Sequence, residues 1–256
     1  MREDALSGKT AVVVGASSGI GLATTNLFAD AGARVHAAAR RKEAIEQGVR
    51  DGIGSGRVKA HSLDVSDGEA VERVIGKIGE ADGIDALVVA AGTNVPGRRL
   101  QELTRESWES ILSVNLSGAF YCVKAALPYL REARGLVVFI SSVSGSWPDV
   151  SGPAYQASKA GMTELAHAAG FEEHQNGVRF SVVLPGIVDT PILENRPDPP
   201  GKEIRDLSLK PEDVAATCLF LATLPPRAYV PELTIVPTAI QALGKTSTAS
   251  PPGPDA

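Results

Sequence analysis

Short, almost continuously apolar runs alternate with longer runs of helical period along the whole chain. The predicted strands are residues 10–14, 34–38, 58–62, 86–89, 136–140, 179–183 and 232–236. Apolar residues at successive positions are typical of parallel strands covered on both faces. The predicted helices are residues 19–31, 67–78, a run that follows Thr104 and ends at Leu112, 116–130, 153–173 and 212–221. This alternation predicts an α/β fold with an open, doubly wound parallel sheet and helices on both faces.

No break in composition and no internal repeat divides the chain, so we predict one domain over residues 1–244. Residues 191–209 are rich in proline and charge, which favours a lid over a site. Residues 245–256 are rich in Pro, Ser and Gly, and we expect them to be disordered. At the helix ends, Gly32 predicts the cap that ends the first helix, and Ser66 predicts the cap that begins the second.

The composition of the 256 residues is ordinary for a globular protein, with 43% hydrophobic and 21% charged residues. The net charge of −5 and the absence of a basic run argue against nucleic acid as a partner. No membrane is expected, because no apolar stretch approaches spanning length and the N-terminus lacks an apolar leader. Cys122 and Cys218 lie in apolar helical patterns and are expected to be reduced, a disulfide being the alternative. The expected location is the cytoplasm.

Three glycines come directly after the first predicted strand, in the string GASSGIG that contains Gly15, Gly19 and Gly21. Such a turn sets the N–H groups at the start of a helix against a phosphate. Glycine permits the tight turn and the close approach of backbone to a pyrophosphate. The turn alone is equally typical of any α/β fold, so its interpretation depends on the residues at the ends of the other strands.

The same string also matches GxSxG, with Ser17 as the nucleophile of a hydrolase. That chemistry needs a histidine on a loop beside the nucleophile, whereas His167 and His174 are assigned to a helix. No HGGG-type segment precedes Ser17 either. A hydrolase is therefore the minor alternative.

The second predicted strand ends in Ala39, followed by Arg40 and Arg41. An acidic residue there would bind the adenosine ribose hydroxyls and repel a 2′-phosphate. Arginine instead offers a planar cation that matches phosphate, so NADP(H) is favoured over NAD(H). The alternative is that both arginines belong to a solvated helix start, where cations oppose the helix dipole.

The next two strand ends carry residues that fit a nucleotide. Asp64 and Val65 end the third strand, where the carboxylate could bind the adenine amino group or simply cap a turn. Ala90, Ala91 and Gly92 end the fourth strand, and such small residues let a cofactor lie against the backbone. Ligands of open α/β sheets bind at the carboxyl ends of the strands, so these features together predict one nucleotide site.

A second group of residues suits proton transfer to an alcohol or ketone. Tyr155 and Lys159 are four residues apart in a predicted helix, on one face, and the ammonium is expected to lower the pKa of the phenol. Ser142 ends the fifth strand and could bind the substrate oxygen near Tyr155. Asn115 lies in an otherwise apolar helical run, where it could loosen the helix and hold water for a proton relay through Lys159. Each of these residues alone is equally typical of ordinary packing or solvated surface.

In this order the motifs resemble the short-chain dehydrogenase/reductase family over roughly residues 7 to 237. The resemblance rests on GASSGIG, Asp64, Ala90-Ala91-Gly92, Asn115, Ser142, the string YQASK from Tyr155 to Lys159, and Pro185-Gly186. It implies a Rossmann-like sheet of seven strands, usually in a tetramer or dimer. It also implies a catalytic tetrad of Asn115, Ser142, Tyr155 and Lys159. In that tetrad Tyr155 would protonate the carbonyl as hydride arrives, and Lys159 would also hold the nicotinamide ribose.

The resemblance implies a cofactor site as well. Its expected residues are Gly15, Ser17, Ser18, Gly19, Ile20, Gly21, Arg40, Arg41, Asp64, Val65, Ala91, Gly92, Tyr155, Lys159, Pro185, Gly186, Ile187 and Thr190. Two departures from the family pattern stand out. Ser18 occupies a place where NADP-preferring members often carry a basic residue. The C-terminus lacks the common glycine-rich ending and is similar to the branch with 3-hydroxy acid dehydrogenases and carbonyl reductases.

The substrate pocket is expected between Gly92 and Gly97, at Ser142, Ser144, Trp147, Tyr155 and Ile187, and under the lid. Trp147 could instead be plain packing. Arg196 in the lid could meet a substrate carboxylate, although it shares the lid with acidic residues and solvation is the favoured interpretation. The expected function is an NADP-dependent oxidoreductase acting on a small alcohol or ketone, without metal. The alternatives are a catalytically silent NADP-binding sensor and the Ser17 hydrolase.

Overall fold

Seven parallel strands form one sheet in the computed structural model, which describes residues 4–49 and 56–240. The strands are β1 (Thr10–Val14), β2 (Arg34–Ala39), β3 (Val58–Ser62), β4 (Ala86–Val89), β5 (Leu136–Ile140), β6 (Arg179–Pro185) and β7 (Glu232–Ile235). Their order across the sheet is β3-β2-β1-β4-β5-β6-β7, and every neighbouring pair is parallel. The predicted fold class is confirmed. The predicted tail over residues 245–256 lies outside the described residues.

Helices cover both faces of the sheet. They are α1 (Gly19–Asp30), α2 (Lys42–Gly48), α3 (Gly68–Asp82), α4 (Arg105–Leu112), α5 (Gly118–Ala133), α6 (Pro153–Glu173), α7 (Lys202–Leu207) and α8 (Pro211–Thr223). Strand β1 explains the continuous apolar pattern, because Val12 and Val14 pack into one core cluster while Ala11 and Val13 pack into the other. Helices α1 and α8 pack together on one face, and α3 packs against α5 on the other.

Some details of the helices differ from the prediction. The sequence pattern does not predict α2 and α7, because α2 buries only Ile45 and α7 buries no residue, so neither leaves a clear apolar period. Ser66 does not cap α3. The cap is Asp67, whose carboxylate accepts a hydrogen bond from the Ala70 N–H at 3.0 Å. His174 follows α6 in a short 3₁₀ turn.

The expectation that no apolar stretch approaches membrane-spanning length is wrong for one helical segment. Residues Arg105–Ala133 form a continuous helical segment of 29 residues, which is long and apolar enough by length and composition to cross a bilayer. The segment is that long because a π turn at Ser113–Ser117 joins α4 to α5 without a break. A single such helix is weak support for a span, since core helices pass the same test, and Ile111, Cys122 and Leu130 are fully buried against the rest of the fold.

The two ends of the connection that follows β6 are held together by main-chain hydrogen bonds. Val188 pairs with Leu209 in an isolated bridge, and the Asp189 N–H donates to the Leu209 carbonyl at 2.8 Å. Between these points lie a 3₁₀ turn (Pro191–Asn195) and α7. We call residues 191–209 the lid segment. It is attached at the carboxyl end of β6, on the same edge of the sheet as the loops after β1, β4 and β5.

Candidate active site

A large cleft of about 1560 Å³ runs along the carboxyl ends of the strands. It crosses the point between β1 and β4 where the strand order reverses, which is the usual ligand site of open α/β sheets. Its volume exceeds that of an ordinary small-molecule pocket, so it has room for a dinucleotide together with a second, small molecule.

The glycine turn forms one end of the cleft and allows very close packing. A Cβ on Gly15, which has a φ of +87°, would lie 2.4 Å from the Ala91 nitrogen. A Cβ on Gly21 would lie 2.3 Å from the Gly15 carbonyl oxygen. Ser18 precedes α1 with an extended backbone and makes no side-chain capping hydrogen bond, so it does not occupy the N–H groups of the first turn. These are the features that a pyrophosphate on the helix N-terminus requires.

Arg40 and Arg41 lie at the same end of the cleft, where β2 ends. Both side chains are exposed and line the cleft, and the Arg41 Nη2 reaches to 3.5 Å from the Ser17 hydroxyl. Within residues 4–49 and 56–240, neither arginine forms an ion pair with a carboxylate. Arg41 is also the residue that precedes α2, so the helix-start interpretation is correct in position. Both interpretations are therefore compatible, and the cations remain available to an anion in the cleft.

Asp64 caps a turn, which is one of the two roles expected of it. Its Oδ1 accepts hydrogen bonds from the Ser66 N–H at 2.9 Å and the Ser66 hydroxyl at 2.7 Å. These bonds hold the pKa of the Asp64 carboxyl below its usual value. Asp64 and Val65 still line the cleft, beside the turn that begins α3.

Tyr155 and Lys159 lie on the wall of the cleft, on the first turns of α6. Lys159 is buried, and its Nζ donates a hydrogen bond to the Ile140 carbonyl at 2.7 Å while lying 5.9 Å from the centre of the Tyr155 ring. Burial lowers the pKa of Lys159 to about 8. The Ser142 hydroxyl lies near the Tyr155 phenol and lowers its pKa, so these three side chains come together on the cleft wall.

The expectation that the Lys159 ammonium lowers the pKa of Tyr155 is wrong. Burial raises the pKa of the phenol to about 12, because a phenolate in this position loses part of its contact with water. The nearby Ser142 hydroxyl acts in the opposite direction, and the nearby charge of Asp149 raises the pKa further. Tyr155 is thus held as a neutral phenol, a proton donor.

Asn115 lies behind the cleft rather than on its wall. It sits in the π turn, which confirms that the helix is loosened there. Its Oδ1 accepts from the Thr93 N–H at 2.7 Å, and its Nδ2 donates to the Thr93 carbonyl and to the Ser158 hydroxyl, both at 3.0 Å. Asn115 is completely buried, so it acts on the site through its neighbours.

The position of Trp147 corrects the prediction of an aromatic pocket wall. Trp147 is not among the residues that line the cleft, and it packs against the core cluster on one face of the sheet. Ser144 does line the cleft, but its hydroxyl is committed to the Asp149 carboxylate at 2.5 Å. Ile187 and the predicted residues Pro185, Gly186 and Thr190 also line the cleft, at the end of β6 and the start of the lid segment.

Sequence reasoning missed a group of side chains at the substrate end of the cleft. Asp149 accepts hydrogen bonds from Ser144 and from the Ser151 N–H at 2.8 Å. Arg98, which is buried, and Arg196, which is half-buried, also line the cleft, and both interact electrostatically with Asp149. Nothing in the sequence links these residues, because they come from three separate loops. Of the group, only Arg196 and Ser144 stand out in the sequence, and Arg196 is not fully solvated as expected.

The hydrolase alternative finds no base in the structure. Ser17 lines the cleft, and its neighbour is the Arg41 guanidinium. No histidine is among the cleft-lining residues of the described chain. Ser17 therefore lacks the group that would remove its proton.

The comparisons with known proteins decide the family. Residues 9–200 match the family described as short chain dehydrogenase. The chain belongs to the short-chain dehydrogenase/reductase family. This confirms the resemblance in the motifs, and it makes the protein an oxidoreductase of that type.

Individual members are similar over most of the chain. The 3-oxoacyl-(acyl-carrier-protein) reductase FabG of Thermotoga maritima is 34% identical over 230 residues, covering 85% of this chain and 92% of its own. The meso-2,3-butanediol dehydrogenase of Serratia marcescens is 35% identical over 225 residues, covering 84% and 87%. Among solved structures, a metagenomic short-chain oxidoreductase in complex with NADP superposes with a TM-score of 0.79 at 32% identity, covering 91% of this chain and 99% of that one.

Proposed function

We propose that this short-chain dehydrogenase/reductase transfers a hydride between NADP(H) and a secondary alcohol or ketone. The observation that carries the proposal is the placement of the Tyr155 phenol, Ser142 and the buried Lys159 ammonium together on the wall of a cleft that begins at the glycine turn. A proton donor beside a nucleotide site is what reduction of a carbonyl requires.

The residues present fit an NADP cofactor. The open helix N-terminus after Ser18 suits the pyrophosphate, and Arg40 and Arg41 suit the 2′-phosphate of the adenosine. Lys159 and the stretch from Pro185 to Thr190 lie further along the same cleft, where the nicotinamide half would extend. When bound, the nicotinamide ring supplies or accepts the hydride. The NADP in the metagenomic relative supports this choice of cofactor.

The chain's own residues perform the proton chemistry. Tyr155 donates its proton to the substrate oxygen during reduction. Its raised pKa keeps the phenol protonated before that transfer. Ser142 orients the same oxygen by hydrogen bonding. The buried Lys159 ammonium, 5.9 Å from the ring, offsets the negative charge that Tyr155 acquires after it has given up the proton. Asn115 holds the π turn against α6 and keeps this geometry.

The test is a panel of ketones and secondary alcohols, followed by absorbance of the reduced nicotinamide, with the wild type and Tyr155→Phe. We expect Tyr155→Phe to bind NADPH as well as the wild type does and to lose turnover. Tyr121→Phe is the matched control, because Tyr121 lies on α5 outside the cleft. Substantial turnover by Tyr155→Phe would contradict the mechanism.

The two alternatives give different results in the same panel. A catalytically silent sensor would bind NADPH and turn over no compound in the panel, even as the wild type. A hydrolase would cleave an ester without nucleotide and lose that activity in Ser17→Ala. The placement of Tyr155, Ser142 and Lys159 together on the cleft wall favours the oxidoreductase over both.

We also propose that the protein forms a homo-oligomer. Trp108, Phe120 and Phe171 on α4, α5 and α6 are large apolar side chains with 37%, 44% and 79% of their surface exposed. Exposed apolar residues on adjoining helices are typical of a self-association face. Light scattering on the wild type and on Phe120→Glu with Phe171→Glu tests this, and we expect the substituted protein to have a smaller mass. An unchanged mass would contradict the assignment of the interface.

A further inference from the structure

Two guanidinium groups lie near the proton donor at the substrate end of the cleft. Arg98 and Arg196 line the cleft, and both interact electrostatically with Asp149 and Tyr155. Within the described residues, neither arginine forms an ion pair with a carboxylate. The Asp149 carboxylate is already bound by Ser144 and Ser151. The Arg196 guanidinium is therefore available to an anion in the cleft.

We propose that the substrate is an oxo or hydroxy acid whose carboxylate is bound by Arg196. This inference rests on the proposed function and names the substrate class for the same site. The two oxygens of a carboxylate match the two parallel N–H groups of the Arg196 guanidinium.

Arg98 places Arg196 in this position. Its Nε donates to the Val95 carbonyl at 3.0 Å, and its Nη2 donates to the main-chain carbonyl of Asn195, the residue directly before Arg196. The Asn195 side chain in turn donates to the Asn94 carbonyl at 3.2 Å. The 3₁₀ turn of the lid segment is thus attached to the loop after β4, with Arg196 on the cleft side.

The position of Arg98 is itself fixed by the segment before Tyr155. Gly152 has a φ of +87°, and a Cβ there would lie 2.3 Å from the Arg98 carbonyl oxygen. Asn94 also donates to the Ser151 carbonyl at 3.0 Å. The loop that positions Arg196 and the helix that carries Tyr155 are therefore packed directly against each other, which keeps the anion site at a constant distance from the proton donor.

The electrostatics agree with the geometry. Burial lowers the pKa of both arginines, so each guanidinium has lost part of its hydration. The charge of Arg196 lowers the pKa of Arg98 further, because the two cations repel each other. A substrate anion bound beside them would offset this repulsion.

The experiment compares acids with their methyl esters. Pyruvate, acetoacetate and levulinate, each beside its methyl ester, cover three distances between carbonyl and carboxylate. We expect kcat/KM of at least one acid to exceed that of its ester by about 10-fold or more. This factor corresponds to the usual contribution of a hydrogen bond to a charged group. In Arg196→Gln that ratio should fall close to one, because kcat/KM of the acid falls by more than that of the ester. Arg196→Lys, which keeps the charge, should be intermediate, and the exposed Arg105→Gln should match the wild type.

Arg98 is tested by the same ratio. Arg98→Gln should lower the acid-to-ester ratio, and combining it with Arg196→Gln should add little, because Arg98 acts through Arg196. A purely structural role of Arg98 would reduce turnover of acid and ester equally and leave the ratio unchanged.

A binding measurement makes the inference independent of turnover. Calorimetric titration of each acid into Tyr155→Phe saturated with NADPH should give a Kd that rises about 10-fold or more in the additional variant Arg196→Gln. Equal handling of acids and esters by the wild type would overturn the inference while leaving the proposed function intact. Weaker NADPH binding by Arg196→Gln with an unchanged acid-to-ester ratio would also overturn the inference. A preference of the wild type for a phosphorylated ketone such as dihydroxyacetone phosphate would overturn it as well. Absence of turnover of every compound would instead contradict the proposed function.

Discussion

Asn115 donates a hydrogen bond from its Nδ2 to the Ser158 hydroxyl at 3.0 Å, and Ser158 in turn donates to the main-chain carbonyl of Tyr155 at 2.7 Å. Two bonds therefore connect the π turn between α4 and α5 to the residue that is to move the proton. Asn115 also holds the N–H and the carbonyl of Thr93. The buried Asn115 amide therefore forms hydrogen bonds with both the loop after β4 and helix α6.

Replacing this amide is expected to affect both stability and activity. Asn115→Ala leaves the Thr93 N–H and the Ser158 hydroxyl without their buried partner, and we expect the free energy of unfolding to fall by about 2–4 kcal/mol. Turnover should fall while NADPH binding changes little. Urea unfolding, with steady-state kinetics at a temperature where the variant is folded, measures both. Unchanged kinetics in the folded variant would show that Asn115 has no role in positioning Tyr155.

Cofactor preference should depend on the arginines at the end of β2. In Arg40→Ala with Arg41→Ala, we expect NADPH binding to weaken by about 10-fold or more, because charge-assisted bonds to the 2′-phosphate are lost. NADH lacks that phosphate, so its Kd should hardly change. Fluorescence titration of both nucleotides gives the comparison, with Arg105→Ala as the control on α4. Equal Kd values for NADPH and NADH in the wild type would contradict the NADP preference.

Deprotonation of Lys159 should lower the rate of ketone reduction at high pH and so produce a basic limb in the pH profile. Burial lowers its pKa to about 8, so the ammonium is present below that pH and is lost above it. We expect kcat/KM for ketone reduction to decline as the pH rises through about 8, since a neutral Lys159 no longer offsets the charge on Tyr155. In Lys159→Arg the side chain stays charged, and any residual activity should lack this limb. A wild-type rate that stays level up to about pH 10 would contradict the role of the ammonium.

A histidine pair on β2 and β3 should make the fold sensitive to acid. The His36 Nδ1 lies 3.0 Å from the His61 Nε2, and the rings are stacked with centroids 5.2 Å apart. Burial lowers the pKa of both rings, that of His61 to about 4. Between the ordinary pKa of 6.5 and this value the unfolded chain binds more protons than the folded one, so stability falls as the pH is lowered through that window.

The loss should amount to about 1–3 kcal/mol between neutral pH and pH 4.5. Urea unfolding at a series of pH values measures it. His61→Gln should flatten the dependence, because it removes the group whose pKa is lowered to about 4 and its charge repulsion with His36. A wild-type curve that is level across this range would refute the prediction.

The sequence predicted the sheet and the proton-transfer group well, and the reason is local. Buried parallel strands leave continuous apolar runs, and Tyr155 and Lys159 are neighbours on one helix. What it did not predict depends on contacts between distant loops. Arg98 and Asn195, which are hydrogen-bonded, are 97 residues apart. Ser144 and Asp149 are close in sequence, in the loop before α6, but their spacing alone does not indicate that they are hydrogen-bonded. The raised pKa of Tyr155 was missed for the same reason, since burial is a property of the assembled cleft.

The bridge between Val188 and Leu209 has a consequence for how the substrate range can change. It holds the two ends of the lid segment one strand spacing apart, so the intervening residues close a loop whose length adds little to the cost of folding. We expect replacement of the residues between these two points to leave the ends of β6 and α8 at the same separation. The proposed Arg196 site therefore lies on a segment whose sequence can vary while its two ends stay fixed.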